Sequence, residues 1–193
     1  MIVLKPQITI AELQLRIFHN EQTAYKELFE LFYNKLFRLA FIITKSRELS
    51  EEIVSDVFIG IWRRREHVLE INNLRLYLYI SVKNTSLNYL AQLTKTGVVC
   101  LEELDFEPLQ PFSNPEDILV TKEMNQRLYD AIQNLPPRCR IIFKLVKEDG
   151  LSYNEAAELL NLSRSTIDNQ LVLAMKKLTK SLFYSFSTSK NKS

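Results

Sequence analysis

The sequence predicts an all-α protein: two small helical domains joined by a flexible acidic linker. Three observations carry that reading. Gly and Pro are scarce, three and six in 193 residues, while Leu, Ile, Phe, Lys and Glu are plentiful, which favours helix over sheet. Apolar residues recur at intervals of three and four over most of the chain. Between about residues 94 and 114 this periodicity stops. Gly97, Pro108 and Pro111 stand there among Glu102, Glu103, Asp105 and Glu107, the composition of a tether.

The elements follow in order. Thr9 and Glu12 predict a capped short helix ending near Asn20. A second helix is expected from about Glu21 to Thr44, since Leu28, Leu31, Phe32, Leu36, Leu39 and Ile43 recur at three and four. Ser50 is expected to cap a third, with Glu51 and Glu52 on the positive end of its dipole. Ile53, Val57 and Ile61 form one apolar stripe on it, and Val54, Phe58 and Trp62 an adjacent one. A fourth helix spans roughly Leu74 to Leu93.

Beyond the linker, Asn114-Pro115 opens a helix that continues to about Asn134. Pro136-Pro137 opens the next, and Asp149-Gly150 is a left-handed stop for it. The domain boundaries are therefore 1–93, 94–114 for the acidic linker, 115–182, and a polar tail 183–193 expected to be disordered.

Residues 151–178, LSYNEAAELLNLSRSTIDNQLVLAMKKL, have the form of a helix-turn-helix. Ser152 and Glu155 make an S-x-x-E capping box. Ala156 and Ala157 are small where two helices cross. Asn161 takes the strained turn position, and Ser163 caps the second helix. Ile167, Leu171, Ala174 and Leu178 share one face; Arg164, Ser165, Thr166, Asn169 and Gln170 share the other, with side chains suited to base edges and phosphates. Asp168 is expected to pair with a neighbour on its own helix, the alternative being to accept from a cytosine amino group.

Charge is unevenly spread although the net is only +2. Residues 1–100 hold 13 basic and 10 acidic side chains, residues 101–134 hold 2 and 8, and residues 135–193 hold 10 and 5. The basic final block suits phosphate contact. Cys100 and Cys139 form no C-x-x-C pair, and His19 and His67 have no partner at ligand spacing, so neither a zinc site nor a disulfide framework is expected. The start of the chain, with Lys5 and Pro6, does not read as a signal peptide, and Arg38 interrupts the best apolar run. A cytoplasmic protein with no cofactor, no metal and no small-molecule substrate is expected.

Four segments in order carry a resemblance: AYKELFELFYNKLFRLA, SEEIVSDVFIGIWRRRE, LRLYLYISVKNTSLNYL, and the run from LPPRCR through LAMKKL. Together they resemble the extracytoplasmic-function sigma factors of the sigma-70 family. Tyr77, Leu78, Val82 and Asn84 look especially like members from the Bacteroidetes. The likeness covers about residues 20–95 and 115–180. It implies that the first stretch is sigma region 2, which docks on the clamp helices of RNA polymerase core and opens the −10 element. The second is then region 4, which reads the −35 element beside the polymerase flap. It also implies promoter DNA as a partner and an anti-sigma factor, often membrane-bound, that would hold the protein at the inner membrane.

Site residues follow from the likeness and the side-chain chemistry together. Glu52, Ser55, Asp56 and Ile59 face outward to bind core polymerase, with Asp56 the choice for an ion pair. Asn72, Asn73 and Arg75 lie in the loop the family uses as a base pocket. Tyr77 and Tyr79 can stack on bases, and Lys83, Asn84 and Asn88 suit backbone and base edges of the −10 strand. Leu78 and Trp62 are read as core. For the −35 element the set is Arg138, Arg140, Arg164, Ser165, Thr166, Asn169, Gln170, Lys176 and Lys177, with Arg138 and Arg140 near a helix N-terminus. The competing function is a conventional helix-turn-helix regulator that is not a polymerase subunit. An enzyme is disfavoured, because no Ser/His/Asp set, phosphate loop or metal cluster is visible.

Overall fold

The computed structural model describes residues 9–94 and 122–189. They form two compact units, one on either side of the expected linker. Apart from Thr94 that linker lies outside the described residues, as does the expected helix start at Asn114-Pro115.

The first unit begins with α1 (Ile10–Phe18), where the Thr9 hydroxyl accepts from the Glu12 N–H at 3.2 Å. Helix α2 (Gln22–Thr44) ends at Lys45, whose φ of 55° is left-handed and whose N–H reaches the Phe41 carbonyl at 2.9 Å. Helix α3 spans Arg47–Arg63 and α4 spans Leu74–Thr94. A 3₁₀ segment, Arg65–Glu70, lies between them and was not foreseen in the sequence.

Helix α2 packs against both α3 and α4, and α1 closes over α2 and the 3₁₀ segment. Leu28, Phe32, Leu36, Ile43, Ile53, Val54, Phe58, Leu74, Leu78 and Val82 fill the space between. Full burial of each large side chain contributes roughly 1.5–3 kcal/mol. Aromatic contacts join α2 to α3: the ring of Phe58 meets Phe29 at 4.8 Å and Tyr25 at 6.2 Å.

Three expectations need correction in this unit. Helix α3 starts at Arg47, with its cap four residues before Ser50, because the Ser46 hydroxyl takes the capping role by accepting from the Leu49 N–H at 3.3 Å. Ser50 is instead buried, donating to the Ser46 carbonyl and lying 2.9 Å from the Thr44 hydroxyl. Val57 is only half-buried; the core stripe of α3 runs through Ile53, Val54, Phe58 and Ile61. Leu31 is 47% exposed, since the buried face of α2 is centred on Leu28, Phe32 and Leu36.

In the second unit α5 is Lys122–Gln133 and α6 is Pro137–Phe143, with Pro137 in the first turn. Helix α6 runs into one π-helical turn, Lys144–Glu148. Gly150 then takes a φ of 79°, which lets the Leu151 N–H reach back to the Leu145 carbonyl at 2.9 Å. Helix α7 is Tyr153–Leu160, and α8 is Arg164–Ser189. Helix α8 is the spine, packing against α5, α6 and α7. Its buried Ala174 and Leu178 meet Ala131, Ile132, Leu135 and Cys139. Residues 183–189, expected to belong to a disordered tail, continue α8 instead; no Gly or Pro follows Gly150 to stop the helix.

The buried Gln14 is a tertiary tie that periodicity does not reveal. Its Nε2 donates to the carbonyls of Val68 at 3.0 Å and Ile71 at 2.9 Å, fastening the 3₁₀ segment to α1. Gln14→Leu removes the Gln14 donor from the Ile71 carbonyl and one of two donors from that of Val68, which keeps the Ile71 N–H, and is expected to destabilise the first unit by about 1–3 kcal/mol in urea titration. Hydrogen exchange should show the loss concentrated at residues 65–73; unchanged protection there would remove this role.

Candidate nucleic-acid and protein interfaces

The helix-turn-helix is assembled by local bonds. Ser152 and Glu155 complete the capping box: the Glu155 N–H donates to Ser152 Oγ at 3.2 Å, and the Ser152 N–H donates to Glu155 Oε2 at 2.6 Å. Asn161, at φ 54° and ψ 44°, ends α7. The Leu162 N–H bonds the Ala157 carbonyl at 2.9 Å and the Asn161 N–H bonds that of Glu158 at 3.3 Å, a Schellman pair. Ser163 then starts α8 by accepting from the Thr166 N–H at 3.1 Å. Its hydroxyl also lies 2.8 Å from those of Ser165 and Thr166.

This construction leaves Arg164, Ser165, Asp168, Asn169, Lys176 and Lys177 exposed on α8, with Thr166 half-buried. Among the described residues Asp168 forms no ion pair, so the expected intrahelical pair is absent. Two members of the sequence-derived set turn inward. Gln170 is half-buried, and its Oε1 accepts from the Cys139 thiol at 2.8 Å, joining α8 to α6. Arg140 is 8% exposed and donates to the Gln133 carbonyl at 2.7 Å and to Gln133 Oε1 at 3.3 Å. Desolvation holds its pKa below the ordinary arginine value, with the charge of Tyr129 opposing that shift. Arg140 therefore closes the C-terminal end of α5, where a cation meets the helix dipole. Arg138 remains exposed.

In the first unit, Glu52, Ser55, Asp56 and Ile59 form the outer face of α3. The Ser55 hydroxyl is turned back on the Glu51 carbonyl at 2.7 Å. Tyr89 of α4 donates to Glu52 Oε1 at 3.3 Å, and the nearby charge of Glu52, then desolvation and the charge of Asp56, hold its phenol above its ordinary pKa.

A groove runs between α3 and α4. One hollow of about 300 Å³ is lined by Asp56, Val57, Gly60, Arg64, Tyr77, Ser81, Asn84, Thr85 and Asn88. A second, of about 270 Å³, shares Gly60, Arg64 and Tyr77 with it and is completed by Ile61, His67, Val68, Glu70 and Ile71. Tyr77, Asn84 and Asn88 of the sequence-derived set thus meet on one surface, and Asp56 lies on that surface too.

The other members are placed differently. Asn72 is exposed. Asn73 caps α4, its Oδ1 accepting from the Leu76 N–H at 3.1 Å. Arg75 sits in the first turn of α4 and not in the loop, and Lys83 is half-buried. Tyr79 is wholly buried and cannot stack on a base. Trp62 is half-buried against Tyr25 at 5.0 Å, with the Arg65 guanidinium 5.0 Å from its ring.

Arg64, His67 and Glu70 are groove residues that the sequence reading missed. His67 Nδ1 lies 2.8 Å from Glu70 Oε1, and this hydrogen bond, then the charge of Glu70, raises its pKa above the ordinary histidine value. The three-residue spacing of the pair on a helical turn was the available signal.

Among the described residues no group of His, Cys, Asp and Glu is placed to hold a metal ion, and no helix is long and apolar enough to cross a membrane.

Comparison with known proteins covers both units. The family model described as Sigma-70 region 2 matches residues 28–96, and that described as Sigma-70, region 4 matches residues 125–178. The ECF RNA polymerase sigma-E factor of Escherichia coli (strain K12) is 26% identical over 175 residues, covering 87% of this chain and 91% of the relative. That of Haemophilus influenzae is 24% identical over 177 residues, covering 87% and 92%. Two solved structures share the fold. CnrH in complex with the cytosolic domain of CnrY gives a TM-score of 0.51 at 18% identity, covering 90% of this chain and 97% of that one. The sigma factor RpoE in complex with the anti-sigma factor NepR from Bartonella quintana gives 0.52 at 20% identity, covering 82% and 96%.

The inward placement of Arg140 is testable apart from any DNA. Arg140→Met is expected to cost about 1.5–3 kcal/mol of stability, the range for a hydrogen bond made by a charged group. Arg138→Met should leave the thermal midpoint unchanged. Equal midpoints for the two variants in calorimetry would contradict the distinction.

Proposed function

The chain belongs to the sigma-70 family of RNA polymerase sigma factors, in its extracytoplasmic-function group, and we infer that it is an alternative sigma factor. It binds bacterial core RNA polymerase and directs promoter-specific initiation through −10 and −35 elements. The observation that carries this conclusion is the match of region 2 and region 4, in that order, to two separate helical units. A conventional regulator would need a dimerisation or ligand module, and region 2 occupies that part of the chain. Sigma factors work by binding, so the chain is a specificity subunit and not an enzyme.

The division of labour follows the surfaces. The outer face of α3, with Glu52, Asp56 and Ile59, docks on the polymerase clamp helices. Asp56 carries an exposed carboxylate that can pair with a basic side chain. The α3–α4 groove, with Tyr77, Asn84 and Asn88, receives the −10 strand; Asn72 and Lys83 flank it. Unstacking costs a few kcal/mol per step, and capture of the extruded base in a preformed hollow offsets it. Arg64 adds a positive charge to the same walls. In the second unit Ser165 and Asn169 read the −35 element, with Arg138, Arg164, Lys176 and Lys177 on the phosphates. Arg140, Gln170 and Asn73 hold the scaffold that presents these groups.

Residues 94–114 act as the tether between the two reading modules. An inhibitor of the anti-sigma class, such as holds the RpoE of Bartonella quintana, is the expected regulatory partner. The chain acts where the polymerase does, in the cytoplasm, and a membrane-bound inhibitor would hold it at the inner membrane.

The decisive experiment is run-off transcription on genomic DNA with purified cognate core, mapping start sites with and without the chain. A shared promoter motif among the added start sites is expected; start sites identical to those of core alone would overturn the reading. Asp56→Arg should abolish co-purification with core while circular dichroism stays unchanged, and normal co-purification would remove Asp56 from the clamp surface. Asn169→Ala should weaken −35 discrimination by about 1–3 kcal/mol. The same preference across mutated −35 sites would exclude it from the reading set.

A further inference from the structure

The reading face of α8 is not wholly polar. Val172 is 47% exposed, although the helix buries Ile167, Leu171, Ala174 and Leu178 on its opposite side. At 3.6 residues per turn, Val172 projects within about 20° of Ser165 and about 60° of Asn169. It lies three residues beyond Asn169, about 4.5 Å along the axis, against about 3.4 Å between neighbouring base pairs. Leu173 and Met175 are also exposed, at 39% and 48%, but project to either side of this line. Val172 is therefore the aliphatic side chain nearest the axis along which the polar readers point.

The chemistry of a major groove gives such a side chain one partner. Base edges there offer donors, acceptors and the 5-methyl group of thymine, and only the methyl group is apolar. Valine suits that contact because its branched Cβ leaves little freedom at χ1, so its methyl groups are held in place before DNA arrives. Resting on the assignment of α8 to the −35 element, we propose that Val172 reads the 5-methyl group of a thymine adjacent to the base contacted by Asn169. It distinguishes thymine from cytosine at that step without forming a hydrogen bond.

The test uses holoenzyme reconstituted with cognate core on a promoter mapped by run-off transcription. Each thymine of the −35 element, on either strand, is replaced in turn by deoxyuridine, which removes the methyl group and leaves the pairing intact. One replacement is expected to weaken promoter binding about fourfold, the effect of withdrawing one buried methyl group. In Val172→Ala holoenzyme that replacement should have no effect. Alanine at an exposed helical position keeps the helix, so the variant remains readable.

If no replacement matters while Asn169→Ala still relaxes −35 preference, the Val172 contact is excluded and the −35 assignment stands. Undiminished sensitivity in Val172→Ala places the methyl contact on another residue and overturns the proposal, as does a −35 element lacking A·T pairs. If neither deoxyuridine nor Asn169→Ala nor scrambling of the −35 element changes binding, the assignment of α8 fails and takes the proposal with it.

Discussion

The carboxamide of Gln14 holds the 3₁₀ segment to α1, and the groove between α3 and α4 depends on that tie. His67, Val68, Glu70 and Ile71 all line the second hollow, and all lie in or next to the segment that Gln14 fastens. In the proposed role the groove has only binding energy to set against the unstacking of a base. Ordering a loose residue at that moment would cost about 1–2 kcal/mol, enough to cancel the capture of a base. A segment fixed beforehand by a buried amide avoids this cost.

The same groove brings together groups that the sequence assigns to different partners. The proposed assignment puts Asp56 on the face offered to polymerase and Asn84 and Asn88 on the −10 strand, yet all three line one hollow. A carboxylate repels a phosphate at close range, and an opposite charge supplied from outside removes that repulsion. Arg64, the residue that ends α3, stands on the same wall about two turns beyond Asp56, so the groove carries both signs. Docking of a basic polymerase surface on Asp56 would change the field that an incoming strand meets. On the proposed assignment, core binding and DNA binding in this unit would be linked by electrostatics, because Asp56 shares its hollow with Asn84 and Asn88.

What could be read from the sequence was what is decided locally. The Ser152–Glu155 capping box, the Asn161 turn and the Gly150 stop each rest on residues within one helical turn, and all three stand as expected. The periodicity of α2 likewise placed that helix. The failures share the opposite property. Ser50 reads as a cap until Ser46, four residues earlier, is seen to hold that role. Arg140 and Gln170 read as DNA contacts because polar side chains beside a reading helix invite it, but Gln133 and Cys139 claim them from neighbouring helices. Tyr79 reads as a stacking platform, yet its position on α4 faces the core. Gln14 gave no signal, because the acceptors that explain it lie more than fifty residues away.

The charge pattern of α8 bears on why such a protein needs a larger machine. From Arg164 to Gln170 the helix carries one cation and one anion, Asp168, which no ion pair neutralises among the described residues. Affinity for duplex DNA comes chiefly from phosphates neutralised by Lys and Arg, and this stretch offers almost no net charge for it. Ser165 and Asn169, the proposed base readers, have short uncharged side chains that attract the backbone weakly. A reader of this kind gains occupancy from being held near its site. Tethering to a second module raises the effective concentration without any new contact, but only at a matching separation. On the proposed assignment the phosphates fall to Arg138, Arg164, Lys176 and Lys177, and holding the two modules at the right separation adds occupancy that the near-neutral first turns of α8 do not supply.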